Sequence, residues 1–148
     1  MGRSKNRKKS FAIIGVVSIA LFVAAIVAFP ITSSVVPNGT VKTVYAGQYY
    51  GSEFRTNGSG TLKGSVNANN GITFYLMTPS EYSSFVSSGT PNSYAFTSGD
   101  VNSGSFNFNI DSGTWYAVYY NSNLISSSTI TINSLTFTTT PISVISQY

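Results

Sequence analysis

Only four carboxylates, Glu53, Glu81, Asp100 and Asp111, stand in this chain of 148 residues, and it has neither histidine nor cysteine. The chemistry open to it is narrow. Thiol nucleophiles, disulfides, histidine-based triads and zinc sites built from the usual ligands are all excluded. Glycoside hydrolysis needs two positioned carboxylates, but Asp100 and Asp111 fall in turn sequences and Glu81 reads as a helix cap. A serine–lysine dyad through Lys42 or Lys63 carries no information where serine is this common. Asp100-Val101-Asn102-Ser103-Gly104 lacks the spaced acidic ligands and the closing glutamate of a calcium loop. The chain is therefore read as a non-enzyme without metal or cofactor, a membrane-bound or secreted hydrolase being the last of the alternatives.

Binding chemistry is better represented. All ten tyrosines follow Pro30. Tyr45, Tyr49 and Tyr50 crowd one predicted strand, and Tyr116, Tyr119 and Tyr120 straddle both faces of another. A tyrosine joins an apolar ring to a polar hydroxyl, which suits carbohydrate or protein contacts at a surface. These six are the candidate surface-binding aromatics, with core packing as the competing role of each; Trp115 is assigned to the core. Two sequons, Asn38-Gly39-Thr40 and Asn57-Gly58-Ser59, lie in predicted turns and make Asn38 and Asn57 candidate N-glycosylation sites.

What delivers these residues is the N-terminus. Arg3, Lys5, Arg7, Lys8 and Lys9 precede an uncharged run from Phe11 to Phe29 that closes at Pro30. Nineteen helical residues span roughly 28 Å, close to the hydrocarbon thickness of a bilayer. Basic residues on one flank stay on the cytoplasmic side. This predicts a basic cytoplasmic tail (1–10), a single transmembrane signal anchor (11–30), a linker (31–39) and an extracytoplasmic domain (40–148). Two alternatives remain open. The segment can be a secretory signal cleaved near Thr32-Ser33-Ser34 or Val44-Tyr45-Ala46. Alternatively, Lys9-Ser10-Phe11 resembles the processing site of archaeal type IV pilin precursors, which makes the chain a filament subunit cut before Phe11. Pro30 stands against the pilin reading, since it would end or kink a helix that should continue.

Beyond Pro30 only Lys42, Arg55 and Lys63 oppose the four carboxylates, so the formal charge of +4 belongs to the tail and does not indicate a nucleic-acid partner. Ser, Thr and Asn supply the polarity of the rest, mixed with alternating aromatic and β-branched residues that can bury a core. With so few carboxylates, acid has little stability to remove, and the domain is expected to withstand low pH.

Strands are predicted over Thr40–Ala46, Tyr49–Arg55, a Leu62-Gly64-Val66-Ala68 alternation, Ile72–Met77, Ser93–Thr97, Ser105–Ile110, Thr114–Tyr120, Thr129–Ile132, Leu135–Thr138 and Ile142–Ile145. Asn69-Asn70-Gly71 reads as a type I′ hairpin turn, Ser98-Gly99-Asp100 as a turn, and Asn133-Ser134 as a bulge. Thr78, Pro79 and Glu81 make a capping box for one short helix ending before Gly89, with Tyr82, Phe85 and Val86 on its buried face. The sum is an all-β, antiparallel β-sandwich ectodomain with one short helix, preceded by a single N-terminal transmembrane helix.

The stretch from Gly71 through Tyr75 and Pro79 to Phe85, followed by Phe106 to Asn121 with its Thr114-Trp115-Tyr116 and Tyr119-Tyr120-Asn121, resembles GOLD-like, emp24-like β-sandwich domains of archaeal and bacterial membrane or secreted proteins. In those, a hydrophobic strand leads into a tyrosine-bearing helical turn, and a Gly-x-Tyr-Tyr strand ends in Asn. The anchor, the Ser/Thr/Asn/Tyr-rich domain and the absence of cysteine are also similar to surface proteins of thermoacidophilic archaea. The resemblance implies a fold and no activity; eukaryotic members carry a disulfide and a C-terminal transmembrane helix, and neither is found here. The expectation is a plasma-membrane, cell-surface protein whose exterior domain has a structural or protein- or glycan-binding role. Its partners would be the lipid bilayer, other envelope proteins or glycans, and other copies of itself through an edge strand such as Ile142–Ile145.

Overall fold

The computed structural model describes residues 30–140. The basic tail, the predicted span 11–30 up to Phe29, and the predicted strand Ile142–Ile145 lie outside the described residues. No helix within them is long and apolar enough to cross a membrane.

The elements are β1 (Thr32–Val36), β2 (Thr40–Val44), β3 (Tyr49–Thr56), β4 (Gly60–Met77), α1 (Pro79–Ser88), β5 (Phe96–Ile110), β6 (Gly113–Tyr120) and β7 (Ser128–Thr139). All pairings are antiparallel. The fold is all-β with one short helix, as the alternation predicted.

Its organisation follows from one long strand. The first half of β4 (Gly60–Ala68) pairs with β7 and its second half (Thr73–Met77) with β6, while β5 runs along the opposite edge of both halves. The β4–β5 ribbon folds double where it changes partner. Phe96 and Phe108 belong to the same strand, twelve residues apart, which would separate them by about 40 Å on a flat strand. Their rings instead stack with centroids 4.0 Å apart. Two layers result, one holding β1, β2, β7 and the first half of β4, the other β3, β6 and the second half. Phe54, Leu62, Val66, Ile72, Phe74, Leu76, Ile130, Ile132 and Leu135 fill the space between them.

The fold point is where the sequence reading errs. Asn69-Asn70-Gly71 is no hairpin turn. It is an irregularity within β4, and the register with β5 jumps there from Asn67↔Ser103 to Ile72↔Val101. Gly71 does take a positive φ of 86°, but a bulge uses that conformation as readily as a turn does. Long-range contacts decide between them: Asn69 Oδ1 accepts from the Thr129 amide at 2.9 Å and Asn70 Nδ2 donates to the Ser127 carbonyl at 2.8 Å, tying the bend to the start of β7. Likewise Ser98-Gly99-Asp100 is a bulge inside β5, its Ser98 hydroxyl accepting from the Phe74 amide at 3.0 Å. The bulge predicted at Asn133-Ser134 is present, since Ser65 faces Ser134 while Val66 faces Ile132.

Residues 31–39 are not a linker. Thr32–Val36 pairs with Leu135–Thr138, and a bulge between Ser34 and Val36 turns both Val35 and Val36 inward. After the Pro37-Asn38-Gly39 turn, β2 continues along the same edge of β7, where Thr40 faces Ile132 and Val44 faces Ser128.

The helix is capped as expected. Thr78 Oγ1 accepts from the Glu81 amide, Glu81 Oε1 accepts from the Thr78 amide at 2.9 Å, and Gly89 closes the C-terminus at φ 81°. α1 rests on the outer face of the second layer through Phe85 and Tyr82. Val86, expected on that face, is exposed; a ten-residue helix lying on a sheet buries only a narrow stripe.

Candidate functional site

The carboxylates do not assemble a catalytic pair. Glu81 is occupied in the cap, its Oε2 also accepting from the Ser93 hydroxyl at 3.1 Å. Asp100 lies on β5 beside Gly71, where a side chain at Gly71 would meet its Oδ1 at 3.1 Å. Asp111 occupies the exposed β5–β6 turn, and its backbone carbonyl receives Trp115 Nε1 at 3.0 Å. Glu53 is exposed on β3 with Tyr116 as its cross-strand partner. Among the described residues no three of His, Cys, Asp and Glu cluster as a metal site. Of the lysines, Lys42 lies over the Tyr50 ring, 5.2 Å from its centroid.

The six candidate tyrosines separate by strand parity. Tyr49, Tyr116 and Tyr120 point outward beneath α1, whereas Tyr50 and Tyr119 point into the core between the layers. Tyr119 is fully buried and cannot be a surface-binding residue; Tyr50 is half-buried against it. Burial pushes the Tyr119 phenol far above the usual tyrosine range, and its hydroxyl has no hydrogen-bond partner among the described residues. Trp115, assigned to the core, packs on it while remaining half-buried.

The outward set forms an aromatic shelf. Tyr82 of α1 stacks on Tyr116 with centroids 4.1 Å apart and planes 4° from parallel, and its hydroxyl hydrogen-bonds that of Tyr49 at 2.9 Å. Phe85 meets Tyr49 and Tyr120 edge-on. Burial, then the hydrogen bond with Tyr49, raises the pKa of Tyr82, and burial followed by the Glu53 charge raises that of Tyr116. The helix therefore covers much of the surface that these tyrosines were expected to offer. Sequence reasoning placed Tyr82 in the helix but missed its pairing with Tyr116, which depends on the landing site of α1.

Tyr45 alone of the six is mainly exposed, at 66 %. Beside it stand two residues that sequence reasoning missed, Leu124 and Ile125, exposed to 88 % and 89 %. The signal available was an aliphatic pair inside the turn-like run Asn121-Ser122-Asn123 to Ser126-Ser127. Their loop is held by asparagines. Buried Asn121 donates from Nδ2 to the carbonyls of Val44 (3.0 Å) and Ser126 (2.8 Å) and accepts the Asn123 amide on Oδ1 (2.9 Å). Its backbone bonds to Gly47 and Gln48, so the Tyr45 turn and the Leu124-Ile125 loop form one tip. Asn123 Oδ1 accepts from the amides of both Ile125 and Ser126 at 3.0 Å. Replacing Asn121 by Ala should cost about 3 kcal/mol, because the buried Val44 carbonyl loses its donor. Asn121→Asp should cost more by opposing oxygen to two carbonyls. Urea denaturation checks both, and a loss below about 0.5 kcal/mol for Asn121→Ala would contradict the account.

Asn38 and Asn57 are both exposed in turns, so each sequon is sterically open.

No family model matches the chain, and no curated protein matches it. Among solved structures it is similar to the pre-peptidase C-terminal domain of collagenase from Bacillus anthracis, at 17 % identity and a TM-score of 0.45 over 64 % of this chain and 87 % of that one. At that distance the likeness carries no functional argument.

Proposed function

We propose that this chain is a membrane-anchored cell-envelope protein, N-terminus inside, whose GOLD-like β domain is a non-catalytic module for structural or protein contacts. The observation that carries the reading is the position of the tip. β7 serves as a ruler: Thr138 at one end pairs with Thr32, next to the predicted anchor, and Ser128 at the other pairs with Val44, next to Tyr45. Ten residues of strand separate the two ends by about 30 Å. Tyr45, Leu124 and Ile125 thus project away from the point where the N-terminal segment joins the domain. Two bare aliphatic side chains suit an apolar protein surface better than a glycan, whose recognition rests on aromatic platforms and hydrogen bonds.

Because the chain contains no cysteine, a single Ser122→Cys substitution supplies a label site without background. We expect a membrane-impermeant maleimide to label it in intact cells and the labelled chain to sediment with carbonate-washed membranes. Labelling only after permeabilisation, or recovery as filaments whose subunits begin at Phe11, would overturn the reading. Leu124→Ser with Ile125→Ser should leave thermal stability within about 0.5 kcal/mol, both side chains being exposed, while reducing the size of the native envelope complex.

A further inference from the structure

Among the edge strands of the two layers, β5 is the longest. Among the described residues this strand pairs with β4 alone. Phe96, Val101, Phe106 and Phe108, all on β5, pack against the core yet remain only half-buried, whereas Phe74 behind them is fully buried. Open edges invite pairing with another chain, and proteins usually blunt them with charge, proline or brevity. The other edges here follow that rule. β1 is five residues long and lies between Pro30 and Pro37, β2 carries Lys42, and β3 carries Glu53 and Arg55. From Ser103 to Ile110, β5 has no charge and no proline, and its register with β4 is unbroken.

We infer that Ser103–Ile110 is a self-association edge whose occupant is the same segment of a second copy, added antiparallel about a two-fold axis. Self-complementarity argues for a second copy. With the axis at Asn107, Phe106 of one chain faces Phe108 of the other and Ser105 faces Asn109, on the faces that β-strand alternation already assigns. Half-buried phenylalanines then cover one another on the inner face, and Asn107 meets its own copy on the outer face. Nothing opposes this pairing by charge. Lys63, the β4 partner of Asn107, stands three strands from its copy, about 14 Å away and beyond the ~8 Å Debye length of physiological salt. The Gly99 bulge and Asp100 confine the contact to the second half of β5. The inference does not depend on the anchor reading.

The test uses the full-length chain with a single cysteine, oxidised in the cells that express it. Cys at position 107 (Asn107→Cys) lies opposite itself across the axis, with Cα atoms about 5 Å apart, within disulfide reach. Asn109→Cys sits about 13 Å from its copy and serves as the register control; both side chains are exposed and tolerate the change. We expect covalent dimer from the first and little from the second. Asn107→Asp should favour its own fold through Lys63 while setting carboxylate against carboxylate across the axis, lowering the dimer fraction about five-fold at neutral pH. Equal cross-linking at 107 and 109, none at 107, or an undiminished dimer in the Asn107→Asp chain would each overturn the inference.

Discussion

Phe74→Ala should destabilise the domain by about 3–5 kcal/mol, the range for emptying a large aromatic site in a packed core. Few single changes in the described residues should cost more. Phe74 is fully buried on the second half of β4, and its ring stacks on Phe106 at 4.3 Å and meets Tyr119 edge-on at 5.1 Å. Phe106 belongs to the other leg of the folded ribbon, where it lies over Gly64, the position opposite it on β4. The Phe74 ring therefore joins the two layers at the bend itself. Its neighbours cannot collapse into the cavity without unfolding the bend, which the bonds from Asn69 and Asn70 to Ser127, Ser128 and Thr129 at the start of β7 hold in place. Phe74→Leu refills part of the volume and should cost distinctly less. A guanidinium titration comparing both variants with Leu124→Ala, which removes only exposed surface, measures the difference. A loss below about 1 kcal/mol for Phe74→Ala would mean that the layers are held together elsewhere.

Local signals in this sequence were legible wherever their partners are local. The capping box of Thr78 and Glu81 is satisfied within one turn, and Gly89 needed no distant group to end the helix. Phe106, Phe108 and Ile110 alternate with Asn107 and Asn109, so the half-wet strand followed from period alone. Asn121 also stood out, closing a Tyr-Tyr strand, although its structural task became visible only with Val44 alongside. The failures share a cause. Asn69-Asn70-Gly71 suits both a hairpin turn and a bulge, and its contact with β7, some sixty residues away, decides between them. Thr32–Val36 lacks clean alternation because a bulge turns two adjacent valines inward, so it read as linker. The tyrosines of β6 occupy both parities, and sequence cannot say which parity faces the core, so Tyr119 is not separable there from Tyr116 and Tyr120. The exposed Leu124-Ile125 pair is in plain view, but the hydrogen bonds that hold its loop run through Asn121 and Asn123, and those of Asn121 reach Val44 across the fold.

Buried and half-buried tyrosines make the pH response one-sided. Tyr49, Tyr50, Tyr75, Tyr82, Tyr116 and Tyr119 all have raised pKa values, with burial as the leading cause in each. Their folded forms keep the phenolic proton at a pH where an unfolded chain releases it, near 10. Above that pH the unfolded state binds fewer protons than the native state, so unfolding becomes easier as pH rises. The stabilisation these groups provide is complete below about pH 10 and is lost progressively above it. Tyr119, fully buried, accounts for about 1.4 kcal/mol per pH unit in that window; the partly exposed tyrosines add smaller, solvent-screened amounts. By pH 12 Tyr119 alone has given up about 2.8 kcal/mol, and since a domain holds only about 5–15 kcal/mol in total, cooperative unfolding near pH 12 is the expected result. On the acid side only four carboxylates can titrate, and near-UV circular dichroism should stay unchanged from neutral pH to about pH 3. Tyr119→Phe separates this mechanism from general alkaline damage. Its lost hydroxyl has no hydrogen-bond partner among the described residues, so stability at pH 7 should hold or rise slightly, while the alkaline midpoint moves upward. An unmoved midpoint would show that the buried phenol does not drive the transition, and loss of tertiary signal at pH 3 would refute the asymmetry.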